Sequence, residues 1–301
     1  MQRPGNLAIT DLSRGAIDIP LQFVNRSRAN VLGVGIDAVG MEQALALVTE
    51  CVRRGSKGYV CAADVHGVLQ SLRNSEIADV FAHASIVLPD GAPTVWVGRL
   101  QGYSSIDHVT GPAMMREIFH RREFSHLSHF FYGGNPGVAD ELASTLKRQY
   151  PWTKISGTYT PPFRELTADE ESQLICRISR QRPDIIWVGI STPRQLLFMH
   201  RILPSLDVRL MFGVGAAFDF LTGHVRECPN WIKRAGFHWL HRLLQEPGRL
   251  WRRNLFNAAF LWHIALQMSG LRAYPLRRIE ETTINGAHSR RPRVPPLLLN
   301  R

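Results

Sequence analysis

An α/β fold is predicted, with a mostly parallel, Rossmann-like sheet covered by helices on both faces and a C-terminal helical appendage rich in basic and aromatic residues. Three features predict it. Short β-rich apolar runs alternate with helix-periodic segments from Val31 to Phe212, and the connections between them are short. The run Asp184 to Gly189 (DIIWVG) shows no apolar/polar alternation, as expected of a parallel strand buried on both faces. After Gly213 and Gly215 the composition changes: Trp231, Trp239 and Trp251 mix with Lys233, Arg234, Arg242, Arg249, Arg252 and Arg253.

Residues 1–30 lack hydrophobic periodicity and are expected to form a variable or disordered leader. The core, residues 31–225, opens with a strand over Val31 to Asp37 and an amphipathic helix over Met41 to Arg54. A strand at Gly58 to Ala62 runs into the polar corner Asp64-Val65-His66, which starts another helix. A helix near Glu76 to His83 precedes the short strand Ile86-Val87-Leu88, which ends in Pro89-Asp90-Gly91. Helices at Pro93 to Leu100 and Pro112 to Arg122 flank a loop with His108, Thr110 and Gly111.

Strand His129 to Tyr132 then turns through Gly133-Gly134-Asn135-Pro136-Gly137 into helix Val138 to Gln149, a βα unit with a glycine-rich turn. Strand Lys154 to Thr158 follows, then a helix announced by Thr167 and Glu170 at capping-box spacing. After DIIWVG, a helix from Ser191-Thr192-Pro193 to about Leu203 leads to strand Val208 to Phe212. Residues 226–270 are read as the appendage, and residues 271–301, rich in arginine and proline, as a tail without a core of its own.

The 301 residues carry a formal net charge of +11 with 45% hydrophobic content, so whole-chain disorder is excluded and an anionic partner is favoured. Charge alone does not choose among nucleic acid, an acidic membrane and a phosphorylated substrate. Cys51, Cys61, Cys176 and Cys228 form no CxxC pair and no zinc-spaced cluster, which points to a reducing compartment and no metal. The longest greasy run, Ala258 to Met268, is interrupted by His263 and falls short of the roughly 20 residues a spanning helix needs. The N-terminus has no apolar h-region, so no secretory signal is expected.

In open parallel sheets, ligands bind outside the carboxyl ends of the strands. Asp64, Asp90, Gly133-Gly134, Ser191 to Gln195 and Gly213 to Gly215 fall there. Asp90, between a proline and a glycine, has the placement of a general base and equally that of a turn or cap residue. Asp64 and His66 carry the same ambiguity. Gly213-Val214-Gly215 is half a dinucleotide fingerprint without its third glycine or its acidic partner. Walker A, HExxH and GxSxG sequences are missing. No recognisable nucleic-acid reader accompanies the basic stretch, so no nucleic acid is expected. That stretch, taken alone, reads either as a core helix with a solvated basic face or as a helix for an anionic membrane surface.

Five segments, LPDGAPTVW, VTGPAMM, YGGNPGVADELASTLKRQYP, PDIIWVGISTPRQ and GVGAAFDFLTGHVRECPNWIKRAGFHWLHRLLQEPGRLWRR, resemble in order and spacing the WecG/TagA/CpsF family of glycosyltransferases, family 26. The resemblance runs from about Val31 to Asn254. It implies an inverting transferase that moves a sugar from a UDP-sugar donor to a polyprenyl-diphosphate-linked saccharide, without a cofactor, in exopolysaccharide or other envelope glycan synthesis. It implies a cytoplasmic protein, peripheral on the inner face of a bacterial cell membrane and able to self-associate. By the same resemblance, Asp90 matches the proposed base. Asp64, His66, His108, Thr110, Gly111, Gly133, Gly134, Asn135, Arg194, Gln195, Gly213, Gly215 and Asp219, with Arg242, Arg249 and Arg252 of the appendage, are the expected substrate-binding positions.

Some positions depart from the family pattern. Asp64 stands where asparagine is common, Ala62 where threonine is frequent, His108 for an arginine and Ala113 for an aspartate, and PRQL stands for PKQE. The first four lie near the expected sugar pocket and bear on donor identity. A non-catalytic family member that binds UDP-sugar or lipid-linked glycan is the second reading, and a basic nucleic-acid-binding protein a distant third.

Overall fold

A computed structural model describes residues 26–225 and 247–277. Six strands form one parallel sheet: β3 (Gly58–Ala63), β4 (Ile86–Pro89), β5 (Ser128–Gly133), β6 (Lys154–Tyr159), β7 (Ile185–Gly189) and β8 (Leu210–Gly213), in the spatial order β4-β3-β8-β7-β5-β6. Within a strand, successive side chains serve different cores. Ile186 and Val188 of β7 join one cluster, Ile185 and Trp187 the other. Both faces are covered, which explains why DIIWVG shows no alternation.

On one face lie α2 (Val65–Arg73), α3 (Ser75–His83), α7 (Ala168–Gln181) and α8 (Arg194–Ile202), contributing Val68, Ile77, Leu174 and Leu196 to its core. On the other lie α1 (Met41–Arg54), α5 (Gly111–His120), α6 (Val138–Gln149) and α9 (Ala217–Thr222), contributing Val48, Met115, Leu142 and Phe218. The neighbouring strands β3, β8, β7 and β5 therefore send their following helices, α2, α9, α8 and α6, to alternate faces. Each such reversal opens a crevice at the carboxyl edge. Helix α4 (Ala92–Leu100) completes the first core with Val95 and Val97.

The expected single strand Val31 to Asp37 is instead an antiparallel hairpin, β1 (Arg28–Val31) and β2 (Val34–Asp37). Leu32 and Gly33 both take positive φ, 53° and 90°, the two-residue turn that matches strand twist. The hairpin also takes in Arg28 to Asn30, which the sequence reading had assigned to the leader. Its ordering has a cause in Asp37, fully buried and bonded to Arg28 Nε at 2.9 Å and the Val87 amide at 2.7 Å, with Arg26 at 3.6 Å. Burial pulls the Arg26 guanidinium down to about 10 against the attraction of Asp37.

The last helix, α10 (Pro247–Met268), packs on α2 and buries Phe260 and Ile264 in the first core. Residues 271–277, read from sequence as the start of a coreless tail, pack as well. Tyr274 is buried, its carbonyl accepts from Asn30 Nδ2 at 2.8 Å, and Gln267 bonds both Leu32 N and Asn30 O. Among the described residues no helix is long and apolar enough to cross a membrane.

Candidate active site at the carboxyl edge of the sheet

Strands β3 and β4 end side by side, with Ala63 in register with Pro89 and the Asp90 amide donating to Ala63 O at 3.3 Å. Asp64 and Asp90 are thus the first residues beyond two adjacent strands. Gly91 has φ 111°, a conformation that favours glycine, and its carbonyl accepts from the buried Thr94 hydroxyl at 2.8 Å. This turn fixes Asp90 at the mouth of the crevice with its side chain 28% exposed, reachable by a ligand and still partly screened.

The loop before α5 is stitched to the same place. Val109 N donates to Pro89 O at 3.0 Å, which sets His108 Nε2 3.8 Å from Asp90 Oδ1. Thr110 caps α5 by accepting from Ala113 N. Gly111 is needed for close approach, since a Cβ there would sit 2.9 Å from Val214 Cα. The β8–α9 turn therefore closes against the start of α5.

Asp64 is the N-cap of α2, its Oδ1 accepting from Gly67 N at 2.7 Å. The capping reading is realised. His66, in the first turn of α2, is half-buried. The starts of α2, α5, α6 and α8 all lie at this edge, and positive helix ends favour anions.

The glycine turns pack as a set. A Cβ on Gly133 would meet Gly189 O at 2.4 Å, and one on Gly189 would meet Gly215 O at 3.1 Å. Gly134 N donates to Gly189 O, and Asn135 is exposed at the turn. Asp219 lies in the first turn of α9. Ser191 holds φ at 74°, a left-handed conformation costly for a non-glycine residue by about 1 kcal/mol. Gly189, unlike Ser191, was not among the strand-end residues expected at the site. The signal was the GIST turn after a fully apolar strand.

Two of the expected substrate-binding residues are packed inside. Gln195 is 2% exposed. Its Oε1 accepts from Gly215 N at 3.0 Å and its Nε2 donates to Thr192 Oγ1 at 3.3 Å, so it fastens two turns from inside. Gly213 is buried, and a Cβ there would meet Met199 and Gln195 at 2.8 and 3.2 Å, so it faces α8 and not the crevice. Arg194 is exposed and donates to Phe163 O at 3.0 Å, bracing the β6–α7 connection. Arg242 and the side chains of Arg249 and Arg252 lie outside the described residues. Among the described residues no group of three or more His, Cys, Asp and Glu forms a metal-binding cluster.

The model for the glycosyl transferase WecG/TagA/CpsF family matches residues 29–274. The chain belongs to this family. Among curated relatives, the glycosyltransferase is 25% identical over 209 residues to the N-acetylglucosaminyldiphosphoundecaprenol N-acetyl-beta-D-mannosaminyltransferase of Bacillus spizizenii strain W23, covering 69% of this chain and 79% of the relative. The protein of the same name from Bacillus subtilis strain 168 is 25% identical over 185 residues, 62% of this chain and 70% of the relative. The family match starts on β1 and stops at Tyr274, so it includes the hairpin and the packed end of α10 as well as the sheet.

Proposed function

We propose that this glycosyltransferase moves a sugar from a UDP-sugar to a saccharide carried on a polyprenyl diphosphate, in the synthesis of an envelope glycan. The relatives' names supply the acceptor class and a β-linked product, and the net charge of +11 suits two diphosphate-bearing substrates. The observation that carries the chemistry is the Asp90 carboxylate, fixed beyond β4, beside Asp64 and 3.8 Å from His108, in a crevice ringed by helix starts.

Asp90 accepts the proton of the acceptor hydroxyl as its oxygen attacks C1. The C1–O bond to the diphosphate breaks on the opposite face, and the configuration inverts. The electron pair of that bond leaves with UDP, whose developing charge is met by the starts of α2, α6 and α8 and by amides of the Gly133–Gly137 turn. In this reading His108, beside the base, and Asp64 meet the sugar. The appendage arginines Arg242, Arg249 and Arg252 hold the lipid diphosphate or the leaving group.

The glycosyltransferase works from the cytoplasmic side as a peripheral protein and self-associates, an assembly that light scattering would measure. Transfer from labelled UDP-sugars to a synthetic polyprenyl-diphosphate acceptor tests the reading, with Asp90→Asn as comparison. A neutral amide cannot take the proton, so kcat is expected to fall about 10²–10⁴-fold with UDP affinity kept. Full activity of the variant would refute Asp90 as base. UDP-sugar binding without turnover by wild type on any acceptor would favour the non-catalytic reading.

A further inference from the structure

Away from the crevice, the packed end of α10 lines an open cavity of about 390 Å³ against the hairpin turn and the far end of α2. Its cationic lining comes from Arg73, Arg272 and Arg277, with His263 and Tyr274 between them, and no carboxylate lines it. Asp79 pairs with Arg277, accepting from its Nη2 at 3.1 Å. Arg272 lies over the Tyr274 ring at 5.2 Å, and the Tyr274 hydroxyl is 2.7 Å from His263 Nδ1. The carbonyls at the end of α10 are already capped, Leu266 O by Arg272 N and Ala265 O by Ser269 N. They compete little for these cations.

Apart from Ser71 the rest of the wall is apolar, with Leu69 and Leu72 on α2. Outside it, large apolar side chains stand in solvent next to lining residues: Trp262 is 64% exposed beside His263, and Leu271 is 79% exposed beside Arg272. A soluble phosphate site has no use for such a rim. Guanidinium groups over an apolar wall, with an exposed tryptophan and leucine one residue away in the chain, match the boundary of an anionic bilayer, where headgroup phosphate lies above acyl chains.

We infer that this cavity binds the phosphate of an anionic phospholipid, with Trp262 and Leu271 entering the bilayer beside it. The site is distinct from the crevice that holds Asp90. It rests on the proposed function only in that both place the protein at a membrane. Helix α10 spans 22 residues, about 33 Å at 1.5 Å per residue, and it begins in the Trp/Arg-rich stretch and ends at this cavity. Its two ends can meet one surface and set the angle of the crevice to it.

The test is binding of the full chain to vesicles of phosphatidylcholine with and without one quarter phosphatidylglycerol, comparing wild type, Arg272→Glu and Trp262→Ser. Reversing one charge is expected to weaken binding to the anionic vesicles roughly tenfold or more and to leave the weak binding to neutral vesicles unchanged. Trp262→Ser is expected to weaken both. Circular dichroism checks the fold. If Arg272→Glu misfolds, Arg272→Gln and Trp262→Ser, both changes at exposed positions, decide the matter. Unchanged affinity in the folded variants overturns the inference. So does glycerol 3-phosphate binding wild type but not Arg272→Glu as tightly as vesicles do, because the occupant would then be a soluble phosphate ester. Vesicle binding is read without sugar transfer, so an inactive wild type would count against the proposed reaction and not against this site.

Discussion

Replacing Gln195 by Met separates its two readings, a ligand contact in the crevice and a fastener behind it. The side chains are similar in volume, so little cavity is expected. What is lost is the acceptor 3.0 Å from Gly215 N and the donor 3.3 Å from Thr192 Oγ1. The Gly215 amide is partly exposed, and water repairs some of the loss, leaving about 1–2 kcal/mol. The longer Thr192 bond adds about 0.5 kcal/mol at most. The sum, about 1–2.5 kcal/mol, lowers Tm by roughly 2–4 °C for a chain of 301 residues. Calorimetry with UDP titration checks it: stability and UDP affinity should fall together, because the Gly215 turn loses its anchor. Lost UDP affinity with unchanged Tm would refute the fastener reading and return Gln195 to the ligand.

Two further outcomes follow from the packing. Gly133→Ala should lower Tm by far more than Gly137→Ala and abolish UDP binding, as thermal unfolding and titration would show. Both glycines have positive φ, but only at Gly133 would the new methyl meet backbone, 2.4 Å from Gly189 O, for a cost of about 3 kcal/mol or more. His129 gives a pH dependence. Burial pushes its imidazole down to about 3, so the folded state keeps it neutral while the unfolded chain takes up a proton below about 6.5. Stability is therefore complete above that pH and declines as pH falls from about 6.5 toward 3, by up to about 1.4 kcal/mol per unit from this residue. Urea titrations at pH 7, 5.5 and 4.5 should show a shallower acid loss in His129→Gln.

Much of the fold was legible because local chemistry and tertiary role agree. The Thr167–Glu170 pair makes both bonds of the capping box, and the unbroken apolar run of β7 is buried on both faces as read. The hairpin was not legible, because Leu32-Gly33 lies inside an apolar run and lacks the Asn-Gly or Asp-Gly that marks a two-residue turn. For the site, residues placed by strand ends were found: Asp64 and Asp90 follow adjacent strands because both strands could be delimited. Direction was not legible. A glutamine in the first turn of a helix is polar whichever way it points, and only the approach of β8 shows that Gln195 points inward. The end of α10 looked like more of the amphipathic stretch until α2 gave it a partner for Phe260 and Ile264.

Asn30 does more than close a hairpin. It donates to Tyr274 O and accepts at its own carbonyl from both Gln101 and Gln267, so the first strand and the last packed segment are clasped to each other. Topologically the molecule is nearly a closed ring, and the family match of residues 29–274 begins and ends at the clasp. Joining Arg28 to Tyr274 by a short linker and opening the chain elsewhere would preserve the order of every strand. Trimming inward from either end would instead release the other, so helix α10, with the basic stretch it follows, is held to the catalytic sheet by a latch made from the opposite end of the chain.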